Sequence, residues 1–188
     1  MRIDFGKQTW MIPMPVLIIG TYDENGTPDA MNAAWGGIHD YNEICICLSS
    51  SHKTAKNILL NKEFTVAFAD CSHIAQADYL GIVSANDFPD KFTKSGLTVE
   101  KSNYINAPVI KELPMSLDCR LISYDEKKGF LVGEIINVSA DENIVTDGKI
   151  DMSKFNPAVF ETFGNTYMSL GNKIADAFSV GNTIIADK

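Results

Sequence analysis

The chain has 188 residues, 45% of them hydrophobic and 21% charged, with a formal charge of −8 from 24 acidic and 16 basic side chains. That length and balance suit one folded domain and argue against long disorder. The acidic excess, with Lys127-Lys128 as the longest basic run, disfavours a nucleic-acid backbone or an anionic membrane surface as partner, while a single phosphate remains compatible with one local pocket.

The amino terminus, Met1 to Trp10, has no apolar h-region and no cleavage signature. Apolar runs such as Val16-Leu17-Ile18-Ile19 fall far short of the roughly 20 residues that span a bilayer. The expected location is the cytoplasm. Pro15 to Tyr22 is apolar and β-rich, and Asp23-Glu24-Asn25-Gly26 signals a hairpin whose Asn-Gly pair suits positive φ. A second strand is predicted from about Pro28 to Trp35. Glu43 to Ser49 alternates, with Ile44, Ile46 and Leu48 on one face and Cys45, Cys47 and Ser49 on the other.

The period then changes. Ser51 to Asn61 reads as a helix, with Ala55, Ile58 and Leu59 at helical spacing behind a serine cluster able to cap it. Phe64 to Ala69 returns to strand, and Ser72 to Leu80 reads as a short helix capped by Ser72. Asn86 to Gly96 is polar and loop-like. Met115 to Ser123 is a strand with one wetter face, Lys127-Lys128-Gly129 a turn, Phe130 to Ala140 a strand, and Thr146-Asp147-Gly148 a turn. From Pro157 the tail is rich in Phe, Tyr, Gly and Asn without a clean period, and reads as an arm. Many strands, two short helices and a turn every ten or so residues favour a small, mainly β barrel over a doubly wound sheet. No G-x-G-x-x-G follows a strand. No linker divides the chain, so residues 1–188 are expected to form a single domain.

Cys45, Cys47, Cys71 and Cys119 form no C-x-x-C pair and read as reduced, partly buried thiols. His39, His52 and His73 lack zinc-site spacing, so no metal is expected. There is no G-x-S-x-G elbow, and no base lies near a cysteine in sequence. No catalytic side chain is identified, and the chemistry is assigned to a cofactor. Ser49, Ser50 and Ser51 at a strand end, with Lys53 and Thr54 in a first helical turn, offer hydroxyls, N–H groups and a positive helix end, which is phosphate-binding chemistry. Taken alone, the serines are more simply read as caps, Lys91 as a solvated loop charge, and Trp35 as packing.

In order along the chain, Trp10, Pro15-Val16, Thr21, Asp23, Gly26, Met31-Asn32-Ala33-Ala34-Trp35, Ser49 to Asn57, Asp90-Lys91-Phe92 with Gly96-Leu97, Ala107-Pro108, Gly133-Glu134-Ile135, Tyr167, Leu170-Gly171 and Phe178 resemble the flavoredoxin and flavin-reductase-like family. The resemblance implies an FMN-binding split β-barrel. It also implies a homodimer whose interface lies close to the flavin, with the tail from about 157 as a dimer arm. It turns Ser49, Ser50, Ser51, Lys53 and Thr54 toward the FMN phosphate and makes Lys91 a candidate for the phosphate or the flavin edge. Asn32, Ala33, Ala34 and Trp35 become candidates to approach the ring. The implied activity is NAD(P)H-dependent reduction of bound FMN, with electrons passed to free flavin, a small acceptor or a redox partner protein. Alternatives are an electron-carrier flavoprotein without its own NADH or NADPH site, and a non-catalytic flavin-binding module. One departure stands out: members often carry a histidine just before the Gly-Glu-Ile strand, and Lys128 to Val132 has none.

Overall fold

The computed structural model describes residues 1–186. In chain order the elements are β1 (Met14–Pro15), β2 (Leu17–Tyr22), β3 (Pro28–Ala33), β4 (Gly36–Asp40), β5 (Glu43–Cys47), α1 (Lys53–Asn61) and β6 (Glu63–Phe68). A 3₁₀ turn (Cys71–His73) leads into α2 (Ile74–Ile82), followed by α3 (Lys91–Lys94), β7 (Val99–Lys101), β8 (Pro108–Ile110), β9 (Met115–Asp125) and β10 (Phe130–Ala140). Last come β11 (Val145–Thr146), β12 (Lys149–Ile150), β13 (Ala158–Glu161), β14 (Thr166–Ser169) and α4 (Asn182–Ala186).

Seven antiparallel strands form the main sheet in the order β3-β2-β6-β9-β10-β5-β4. The β9–β10 pair carries register shifts at Val132/Gly133 and Ile135/Asn137. Such bulges bend a ladder and increase its twist, which helps the sheet to curl into a split barrel. Leu17, Ile19, Ile46, Leu48, Phe64, Val66, Leu117, Cys119 and Leu131 fill its interior, and α1 closes it with Ala55 and Ile58. A second core lies on the outer face of the sheet. There Val16, Ile18, Ala67, Leu80, Phe92, Leu97, Ile110 and Leu113 pack together under α2, α3 and the β7–β8 hairpin. Strand β2 is therefore buried on both sides. On its outer side, a Cβ built at Gly20 would meet the Thr65 hydroxyl at 2.6 Å and the Pro108 carbonyl at 3.0 Å.

The β2–β3 hairpin turns as predicted. Asp23 Oδ1 accepts from the Asn25 and Thr27 amides, each at 2.8 Å, and Gly26 takes φ +79°. Several expectations are corrected. The second strand ends at Ala33, and a separate strand, β4, follows from Gly36; the bare Gly36 backbone lets it lie against β5, since a Cβ there would meet Cys45 O at 2.9 Å. Neither helix is capped by serine: α1 begins at His52 with no side-chain cap, and Asp70, which accepts from the Ser72 amide at 2.8 Å, caps the turn before α2. The polar stretch from Asn86 contains α3. The supposedly wetter face of β9 buries Ser116 and Asp118, because the outer layer covers it. The tail from Pro157 is only in part an arm: β13 and β14 form a hairpin joined to β1, and residues 170–185 are exposed throughout.

Candidate functional site

Four elements converge on one narrow cleft. Met31 comes from β3, His52, Lys53 and Thr54 from the start of α1, Leu80 and Gly81 from the last turn of α2 with Val83, Ser84 and Ala85 just after it, and Lys91 from α3. The cleft measures about 20 Å³, room for one small polar group and far too little for a ring. The start of α1 lines the cleft and has no side-chain cap, which leaves the positive end of the helix beside it uncapped.

Lys91 is the group whose position departs most from the sequence reading. It opens a helical turn and is 3% exposed, held between Asp90 and buried Phe92. It takes part in none of the ion pairs found among the described residues. Burial lowers its pKa, opposed by attraction to Asp29. A buried ammonium is costly unless something anionic meets it.

Asp29, on β3, is buried at 6% exposure. Its Oδ2 accepts from the Thr54 hydroxyl at 2.6 Å and from Asn57 Nδ2 at 3.4 Å, while Oδ1 has no protein partner. Burial raises its pKa, against the Thr54 hydrogen bond and the pull of Lys91 and Lys53. The Thr54 hydroxyl proton is thus directed at Asp29, not at the cleft. Lys53 turns to Glu24 at 2.7 Å. Ser49 and Ser51 hydroxyls bond each other at 2.9 Å, and Ser50 is half-buried. Asn86 donates to Ser51 O at 3.0 Å and accepts from Lys56 at 3.0 Å, fastening the loop after α2 to the strand–helix junction.

The second feature is an apolar groove of about 340 Å³ lined by Met11, Met14, Trp35, Gly36, Cys45 and Cys47 among others. That volume lies within the range of small-molecule sites. Trp35 is 51% exposed, so it packs in no core. Met31 lines the cleft and Trp35 the groove, four residues apart and so no more than about 14 Å along the chain. Asn32 lies between them, donating to Ala77 O at 3.2 Å and to the Tyr167 hydroxyl at 3.3 Å; Tyr167 in turn donates to Asp78 at 2.8 Å. Ala33 faces the barrel interior, and Ala34 sits half-buried after the strand.

Other chemistries find little support. Among the described residues no group of three His, Cys, Asp or Glu could hold a metal. The Cys119 thiol is pushed up to about 12, by burial and then by Asp118, so it is no nucleophile. Where Lys128 to Val132 lacks a histidine, His39 reaches across from β4 to lie edge-on to Phe130, with ring centroids 6.0 Å apart. Sequence reasoning missed Asp29, Asn57, Asn86 and the carboxyl end of α2, because each joins the site only through tertiary packing. A buried Asp on a strand facing a Lys carries no local pattern.

The curled seven-strand sheet with its few short helices defines the class of small split β-barrel proteins. The chain belongs to the Flavin reductase like domain family, which matches residues 9–160. It is similar to the flavoredoxin of Desulfovibrio vulgaris (Miyazaki F), at 33% identity over 96% of this chain and all of that one, with a TM-score of 0.91. The flavoredoxin of Methanosarcina acetivorans is 26% identical, covers 98% and 99% of the two chains, and gives a TM-score of 0.88. An FMN-binding domain of a flavin-reductase-like enzyme from Shewanella baltica has the same fold at 17% identity, over 86% and 88% of the two chains, with a TM-score of 0.79. Among the described residues no helix is long and apolar enough to cross a membrane.

Proposed function

We propose that the chain binds FMN and works as a flavin-dependent oxidoreductase. The observation that carries this reading is the buried Lys91 ammonium, without an ion-pair partner among the described residues, in the same cleft as the uncapped start of α1. A phosphate answers both, since oxyanions suit helix N-termini and charge-assisted donors. Lys91, the α1 amides, Lys53 and His52 would hold the phosphate. The groove walled by Trp35, Met11 and Met14 would take the flat ring. Bound flavin supplies hydride or single-electron transfer; the chain's own residues bind, orient and shield.

We infer that the working unit is a homodimer in the cytoplasm. Residues 1–13 and 170–185 are wholly exposed, yet include Ile3, Phe5, Met11, Ile12, Ile174, Phe178, Ile184 and Ile185. That much exposed apolar surface, part of it at the groove through Met11, suits a second copy. Four free cysteines suit a reducing compartment.

A second reading is an electron-carrier flavoprotein reduced by another protein, favoured by the missing histidine in Lys128 to Val132. One experiment separates the two. The purified protein is expected to be yellow, to release FMN on heating, and to scatter light as about twice 20.7 kDa. Under anaerobic conditions NADH or NADPH should bleach the flavin. Bleaching by dithionite alone selects the electron carrier, and a protein that binds no added FMN refutes both.

A further inference from the structure

Strand β3 sets a carboxylate behind the anion cleft, an arrangement that makes little sense for simple phosphate capture. Asp29 sits behind Thr54 of the cleft wall and is drawn by both Lys91 and Lys53, so a phosphate in the cleft would share those cations with it. Two negative groups near one ammonium compete for it, and burial sharpens the competition because little water screens them. Asp29 Oδ2 is engaged by Thr54 and Asn57, which fixes the carboxyl group to the first turns of α1. Oδ1 is buried and meets no hydrogen-bond partner of good geometry among the described residues. An unsatisfied buried carboxylate oxygen is expensive, and a proton on it relieves both that cost and the repulsion.

We propose, building on the FMN reading above, that Asp29 is a positioning residue for the phosphate which takes up a proton when the phosphate arrives, coupling cofactor binding to proton uptake. The proton comes from solvent and lands on Oδ1, the free oxygen; Oδ2 keeps the Thr54 and Asn57 hydrogen bonds. The neutral acid leaves the Lys91 charge to the phosphate. In the ligand-free protein the charged groups facing Asp29 are Lys91 from α3 and Lys53 from α1, and Lys53 is itself paired with Glu24. Neighbouring β2 carries no charged side chain, and the carboxylate on α2, Asp78, accepts from the Tyr167 hydroxyl at 2.8 Å.

The sign follows from linkage. Burial already lifts the Asp29 pKa above the ordinary carboxylate range, and a bound phosphate lifts it further. Between the two values the complex holds a proton that the free protein lacks, so raising pH through that interval weakens binding. The loss reaches at most about one decade in Kd per pH unit for one proton. Ionisation of the phosphate itself acts in the opposite direction, but equally in wild type and variant, so their ratio isolates Asp29.

FMN and riboflavin affinities are measured by fluorescence from about pH 5 to about pH 9, for the wild type and Asp29→Asn, spanning the interval in which a raised carboxyl titrates. The wild-type Kd for FMN should climb relative to the variant as pH rises, the two should converge at the acid end, and riboflavin should show no such divergence. Calorimetry of wild-type FMN binding in two buffers of different ionisation enthalpy should report net proton uptake, whether or not the variant folds. Parallel pH profiles, no uptake, or equal weakening of FMN and riboflavin in the variant would overturn the proposal while leaving FMN binding intact. A wild type that binds no FMN at any pH overturns the flavin reading, and this one with it.

Discussion

Replacing Lys91 with Met tests the cleft most directly. The substitution keeps an unbranched apolar stem among Phe92 and Leu80 of the outer core and removes the ammonium alone. With Lys91 nearly inaccessible, its contact with a phosphate would be a charge-assisted hydrogen bond away from bulk water. Such a bond contributes about 1.5–3 kcal/mol, or roughly 10- to 150-fold in Kd. Ligand-induced stabilisation at a fixed excess of FMN falls by the same amount. At 2–4 °C per kcal/mol for a chain of this size, that is about 3–12 °C less thermal protection by FMN. Fluorescence titration and thermal unfolding with and without FMN read the two effects. Riboflavin, which has no phosphate, should lose little. Equal losses for FMN and riboflavin would mean that Lys91 supports the ring or the fold, and no loss for either would refute the cleft.

Thr54→Ala should act on the fold more than on the phosphate. It strips Asp29 Oδ2 of its short donor and should cost about 1–3 kcal/mol in ligand-free unfolding; normal stability with selective loss of FMN would contradict this. Gly133→Ala should destabilise by roughly 1–3 kcal/mol through overpacking, because the new Cβ would lie 2.6 Å from Cζ of fully buried Phe64; an unchanged melting temperature would show that the ring can shift.

The barrel was legible where local rules act alone. The Asn25-Gly26 turn, the alternation in β5 and the long β9–β10 hairpin need only residue type and period. Of the stretch from Ser49 to Thr54, the sequence marked the strand–helix junction but not the arrangement of its side chains. Its serines looked like donors, yet two of the hydroxyls bond each other and the threonine serves Asp29. Taken alone, Lys91 read as a solvated loop charge because α3 is a single turn, too short to show a period; the outer core next to it is what buries it. β4 escaped notice for a related reason: Gly36-Gly37 weakens the strand signal, yet a bare backbone at Gly36 is what the close approach to β5 requires. Residues 158–169 looked aperiodic because β14 is exposed throughout, so no alternation marks its two faces.

Burial of β2 on both faces has a consequence for how the chain finds its pairing. In a sheet with one wet side, a one-residue slip turns apolar side chains into water and is rejected at once. Here Val16 through Thr21 are all buried, so the same slip exchanges one core for the other at little cost in hydropathy. Size discriminates instead. Gly20 sits opposite Thr65, whose hydroxyl is held by Pro108 O at 2.6 Å, and no side chain fits between them. A strand displaced by one residue would drive Ile19 or Thr21 into that space. Gly20 therefore works as a registration notch, and mispairing of β2 with β6 is refused by steric overlap before solvent exposure has any say.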